Sequence, residues 1–190
     1  MSKQNHCLID LLWRVRNGEL KMNVPLIISN HPDLESIAKD FNSQFVYIDT
    51  VNFSKSDVED QILKLLEQFD INLVVLAKYM QILSDSFLQK FSSIINIHHS
   101  FLPAFKGAQP YHRAWNRGVK LIGATAHYVT EDLDEGPIIE QCTVNVGHRD
   151  EVDDLIRKGR DIERVALARA VRLHLKHQVF VYNSKTAVFD

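Results

Sequence analysis

The sequence predicts an α/β fold: a mostly parallel sheet with flanking helices and a C-terminal antiparallel excursion. Three observations lead there. Short apolar, β-branched runs bounded by turn residues recur at 24–29, 45–48, 73–78 and 94–98. Amphipathic stretches separate them, the alternation that parallel strands with helical crossovers produce. After residue 120 the pattern changes to two strand-like runs, 121–129 and 138–146, joined by the acidic turn EDLDEGP, which suits two strands pairing as a hairpin. A long stretch, 150–176, then carries apolar residues at helical intervals.

Taken in order, the chain opens on a helix-like segment, CLIDLLWRVRNG. A doubly wound domain normally opens on a strand, so the expectation is a first strand that is absent or supplied elsewhere. Helices are expected at 34–41, 56–69 and 84–91. The second of these has Ser56 as a capping residue and Glu59 three positions on as its reciprocal partner. A short helix follows Tyr111 and runs to about Arg117. In the long helix Val152, Leu155, Ile156, Ile162, Val165, Ala168, Val171 and Leu175 form the expected apolar stripe. Gly159 inside it costs about 1 kcal/mol relative to alanine. Runs at 179–182 and 186–189, around Asn183 and Ser184, are expected to close a small terminal hairpin.

A chain of 190 residues with 45% apolar composition has enough material for one sizeable core, so a single domain over 1–190 is expected. With 22 Lys and Arg against 24 Asp and Glu and a net charge of -2, no basic excess exists to hold a polyanion, which argues against nucleic acid as a partner. Cys7 and Cys142 show no ligand-like spacing, so neither a disulfide framework nor a structural zinc is indicated. No segment has the length of a signal peptide core or a membrane span. The expectation is a cytoplasmic protein with no membrane partner.

The chemical signal concentrates in IINIHHSFLPAFKGAQPYH, which starts at Ile94. Strand side chains alternate faces, so Asn96 and His98 share one face, while His99 points the other way or belongs to the following turn. They project from the C-terminal end of a strand, where open α/β sheets place ligands. An amide can donate to an oxygen becoming an anion, and an imidazole can move a proton near neutrality, so together they suit a carbonyl attacked to a tetrahedral intermediate. The competing reading makes His98 a satisfied core histidine. Support comes from GATAHYVTEDLDEGPII, starting at Gly123: Thr125 and His127 share a strand face, and Asp134 in the turn is the expected acid/base residue. Its competing reading is an ordinary acidic hairpin turn.

A metal held by His98, His99, His112, His127 and Asp134 is disfavoured, because adjacent His98 and His99 cannot both face inward on a strand and no HExxH-type spacing occurs. No GxGxxG, P-loop or GxSxG motif is present either. The run from Lys78 through Tyr79, Met80, Gln81 and Ile82 to Leu83 follows a buried strand and offers a mixed lip that a flat heterocycle would fit.

These strings, with HCLIDLLWR, LAKYMQIL and RKGRDIER, resemble the folate-dependent formyltransferase-fold enzymes, and within them the formyltetrahydrofolate deformylases. The resemblance covers nearly the whole chain. It implies a Rossmann-like formyltransferase fold in which Asn96, His98 and Asp134 are catalytic, with 10-formyltetrahydrofolate as substrate and no permanently bound cofactor or metal. Met80, Ile82, Leu83, His127, Thr130, Glu131 and Asp132 are the substrate-binding residues it implies. SKQNHC stands where glycinamide ribonucleotide transformylases carry a Gly-Ser-rich phosphate loop, which favours water over an amine as acceptor. Formyl transfer to an amine and a non-catalytic folate-binding fragment are the alternatives. Such deformylases usually carry an N-terminal ACT domain, and the expectation is the catalytic domain alone, as a homo-oligomer.

Overall fold

The computed structural model describes residues 4–79, 81–104 and 109–189. Two units, Met1–Ile94 and Ile95–Asp190, each contain a buried apolar cluster. In the first, α1 (His6–Arg16), β1 (Leu26–Ser29), α2 (Glu35–Asp40), β2 (Gln44–Tyr47), α3 (Lys55–Gln68), β3 (Val74–Ala77) and α4 (Asp85–Lys90) follow one another in the alternation the sequence predicts. Strands β1 and β2 are parallel, from Leu26 opposite Gln44 to Ser29 opposite Tyr47. The first strand begins later than its apolar run because Pro25 has no N–H to give a ladder; its carbonyl instead accepts from the Gln44 N–H at 2.9 Å. Leu8 and Leu12 of α1 pack with Ile27, Leu34 and Ala38. Each such aliphatic side chain taken from water contributes about 1.5–3 kcal/mol before the entropy of ordering it.

Two helix starts correct the sequence expectation. A 3-10 turn, Pro32–Leu34, precedes α2, so the α-helix proper starts at Glu35. Helix α3 starts one step ahead of the expected Ser56. Ser54 is the capping residue: its hydroxyl accepts from the Asp57 N–H at 3.2 Å and donates to the Asp57 carboxylate at 2.6 Å. Glu59, freed from that role, is buried and accepts from the backbone N–H of Ser84 at 2.9 Å and from the Ser84 hydroxyl, tying α3 to the start of α4. Burial and the nearby Glu59 charge push the Tyr79 phenol up to about 12.

The second unit holds β4 (Ile94–His98), α5 (Pro110–Arg117), β5 (Leu121–Tyr128), β6 (Ile138–Asn145), α6 (Val152–Leu175), β7 (Val179–Tyr182) and β8 (Lys185–Val188). The expected hairpins β5–β6 and β7–β8 both form. In addition β5 runs antiparallel to β4, with Asn96 opposite His127 and His98 opposite Thr125. The antiparallel part therefore reaches the strand that carries the chemical motif. Helix α6 covers this unit, with Leu155 joining Tyr111, Ala114 and Ile122 in its core.

The expected stripe of α6 is buried at Leu155, Ala168 and Val171, but the buried face is wider than the one expected. Ala166, Leu167 and Ala170 are fully buried while Val165 is exposed, because small residues let the helix approach the strands closely. Gly159 faces α5 instead: a Cβ there would lie 2.0 Å from the Tyr111 hydroxyl oxygen. No described helix is long and apolar enough to cross a membrane.

Candidate active site

Strand alternation and cross-strand register put four polar side chains on one face of the second unit. Asn96 and His98 are two apart on β4, and their partners opposite are His127 and Thr125 on β5. Directly opposed residues of an antiparallel pair share a face, so the quartet follows from backbone pairing alone. A fifth group arrives from the turn between β5 and β6. Asp134 adopts a left-handed backbone, φ 57°, which aspartate tolerates better than most residues, and its carboxylate turns inward. It lies 3.2 Å from Nδ1 of His98 and 3.7 Å from Nε2 of His127.

The protons can be assigned from these contacts. Nδ1 of His127 lies 2.8 Å from the Tyr128 carbonyl oxygen, and a carbonyl only accepts, so Nδ1 carries the hydrogen. Nε2 of the neutral ring then accepts from the Asn96 amide nitrogen at 3.2 Å, which leaves a second hydrogen on that amide. His98 is held the other way round: Asp134 accepts from its Nδ1–H, and the lone pair of the neutral ring sits on Nε2. That nitrogen is buried and has no hydrogen-bond partner among the described residues. Buried polar atoms are nearly always paired, so an orphan calls for a functional explanation. The reading of His98 as a satisfied core histidine is therefore set aside.

Burial alone would raise the Asp134 carboxyl. The two imidazoles, His127 when its Nε2 is protonated and His98 through Nδ1–H, outweigh it and hold the group well below the usual carboxylate range, so Asp134 is an anion throughout the neutral range.

Gly136 sets the turn. A Cβ at this position would lie 1.8 Å from the Tyr128 carbonyl oxygen, the acceptor that fixes His127, and the Tyr128 N–H donates to the Pro137 carbonyl at 2.9 Å. The acidic turn is thus also the arm that delivers Asp134. Thr130, Glu131 and Asp132 are exposed on that turn and do not join the cluster; the Thr130 hydroxyl caps the Asp132 carbonyl at 3.3 Å. In the first unit Ile82 is half exposed and Leu83 is buried, while Met80 lies outside the described residues.

Sequence reasoning missed Gln141 of β6. Its side-chain amide donates to the Thr125 hydroxyl at 3.0 Å and to the Leu102 carbonyl at 3.1 Å. Only the register of β6 against β5, which places Gln141 opposite Thr125, reveals it.

A sequence profile described as formyl transferase matches residues 1–171. The chain belongs to the formyl transferase family. Within that family it is 64% identical over 189 residues to the formyltetrahydrofolate deformylase of Synechocystis, covering 100% of this chain and 66% of the relative. The crystal structure of a formyltetrahydrofolate deformylase from Pseudomonas syringae pv. tomato superposes with a TM-score of 0.95 at 47% identity, over 100% of this chain and 64% of that one. Glycinamide ribonucleotide transformylase 1 from Symbiobacterium toebii gives a TM-score of 0.94 at 30% identity, over 100% and 92%. The fold is the one these formyl transferase family structures share: α/β, with a mostly parallel central sheet, flanking helices and a C-terminal antiparallel pair. The chain spans just under two thirds of the length of these two deformylases.

Proposed function

We propose that the chain hydrolyses 10-formyltetrahydrofolate to tetrahydrofolate and formate, as the catalytic part of a formyltetrahydrofolate deformylase. The observation that carries this reading is the orphan Nε2 of His98, a buried base whose other nitrogen is fixed by an anionic carboxylate. Nε2 takes a proton from water as the water oxygen bonds to the formyl carbon. The oxyanion so formed accepts from the remaining Asn96 amide hydrogen. The protonated Nε2 then gives its hydrogen to N10 of the folate, the carbon–nitrogen bond breaks, and formic acid leaves and ionises. Asp134, expected from sequence as the acid/base residue, is read as the partner of His98, because its carboxylate faces Nδ1 of that ring at 3.2 Å. Its part is to hold His98 in one tautomer and to stabilise the imidazolium. Pterin contacts remain assigned, by resemblance, to Met80, Ile82 and Leu83 and to Thr130, Glu131 and Asp132.

The amine-transfer reading shares this chemistry up to the nucleophile. Similarity favours water: the two deformylases stand at 64% and 47% identity and the transformylase at 30%, though both compared structures fit the fold equally well. A competition assay decides. With 10-formyltetrahydrofolate and glycinamide ribonucleotide together, formate should appear at the rate seen without the amine and no formylated amine should form. Formylated amine as the main product would place the chain among the transferases.

A further inference from the structure

His98, Thr125 and Gln141 stand in one row across three strands, His98 opposite Thr125 and Thr125 opposite Gln141. Thr125 is fully buried, and its hydroxyl is saturated. It donates to the Ser100 carbonyl at 2.8 Å and accepts from the Leu102 N–H at 3.1 Å and from the Gln141 amide at 3.0 Å. A hydroxyl has one hydrogen and two lone pairs, so nothing further can bind it. The second hydrogen of the Gln141 amide goes to the Leu102 carbonyl at 3.1 Å. Two side chains thus hold three backbone groups of the segment that leaves β4, beginning two residues after His98.

We propose that Thr125 and Gln141 are positioning residues that fix the chain after His98 across the site face and so hold the His98 ring in place against Asp134. The proposal rests on the functional reading above for its kinetic part only. Beyond the β4 ladder the segment turns on itself, the Ala104 N–H donating to the Phe101 carbonyl at 2.9 Å and the Ser100 hydroxyl to the Ala104 carbonyl at 2.7 Å. The fully used Thr125 hydroxyl with the forked Gln141 amide ties that turn to β5 and β6. Apolar packing could fill the same volume, but it would not fix the path of a polar backbone. Misplacement of about 1 Å at a reacting group costs about a hundredfold in rate, so a small slip of Ser100 reaches the chemistry through His98.

The test uses the full chain with Thr125→Val, Thr125→Ser, Gln141→Glu and Gln141→Leu. Gln141→Glu keeps the shape and removes both donors; Gln141→Leu serves if the charged variant does not fold. Formate release should fall at least about tenfold in kcat for Thr125→Val and for the Gln141 variants. KM for the folate should stay within about twofold, and Thr125→Ser should restore the rate. Independently of turnover, nitrogen-labelled histidine NMR should show one set of His98 ring signals in wild type and Thr125→Ser, shifted or doubled in the other folded variants. Unaltered kcat and unaltered ring signals in folded Thr125→Val and Gln141 variants would overturn the proposal. So would losses that only follow the unfolded fraction. If wild type releases no formate, the functional reading fails and the ring signals alone decide this one.

Discussion

At the scale of single residues, the account turns on where three protons sit. Asp134 holds Nδ1–H of His98, the Tyr128 carbonyl holds Nδ1–H of His127, and Asn96 donates to the remaining nitrogen of His127. Asp134→Asn can still meet His98 but no longer stabilises its cation, and formate release should drop by about a hundredfold or more with KM little changed. The same substitution should alter acid stability. A carboxyl held below its usual value of 3.8 stabilises the fold above that pH, and this contribution is lost as pH falls through the lowered folded value. Wild type should therefore lose stability on acidification below about pH 4 more steeply than Asp134→Asn, as read by denaturant melts at stepped pH. Gly136→Ala tests the other histidine. Its Cβ would lie 1.8 Å from the Tyr128 carbonyl oxygen, so the variant must move the acceptor of His127. Activity should fall at a substrate level that saturates wild type.

At the scale of elements, the contact of α5 with α6 makes a prediction opposite to helix propensity. Alanine is a better helix former than glycine by about 1 kcal/mol, yet a Cβ at Gly159 would meet the Tyr111 ring and hydroxyl at 2.0–2.6 Å. Tyr111 also donates to the fully buried Glu163 at 2.9 Å and has little freedom to retreat. Gly159→Ala should therefore destabilise by about 1–3 kcal/mol in a urea melt. The sequence showed the glycine only as a cost, because the ring it accommodates is 48 positions earlier in the chain. The same division runs through the whole structure. Strand and helix order was legible from β-branched runs and amphipathic spacing, and Asn96, His98 and Asp134 were legible from alternation and a turn. Starts were less so: Pro25 delays β1 and Ser54 rather than Ser56 caps α3. Nor was the pairing of β5 with β4 written in any local pattern. Without that register neither the tautomer of His127 nor the clamp of Thr125 and Gln141 could be derived.

At the scale of the whole molecule, fold and family agree, and the choice of acceptor is what remains to be measured. Deformylase and transformylase structures fit this chain with TM-scores of 0.95 and 0.94, so architecture is common to both chemistries and the nucleophile must be read from the site. With Nε2 of His98 unpartnered among the described residues and its other nitrogen facing Asp134, the site offers the base that the proposed attack of water needs. The most direct measurement is formate release from 10-formyltetrahydrofolate by the purified chain with no amine present, beside His98→Ala and Asp134→Asn. The account predicts turnover by the wild type, with loss of about a hundredfold or more in each variant. Folded wild-type protein that releases no formate, or variants that release it as fast as wild type, would contradict it.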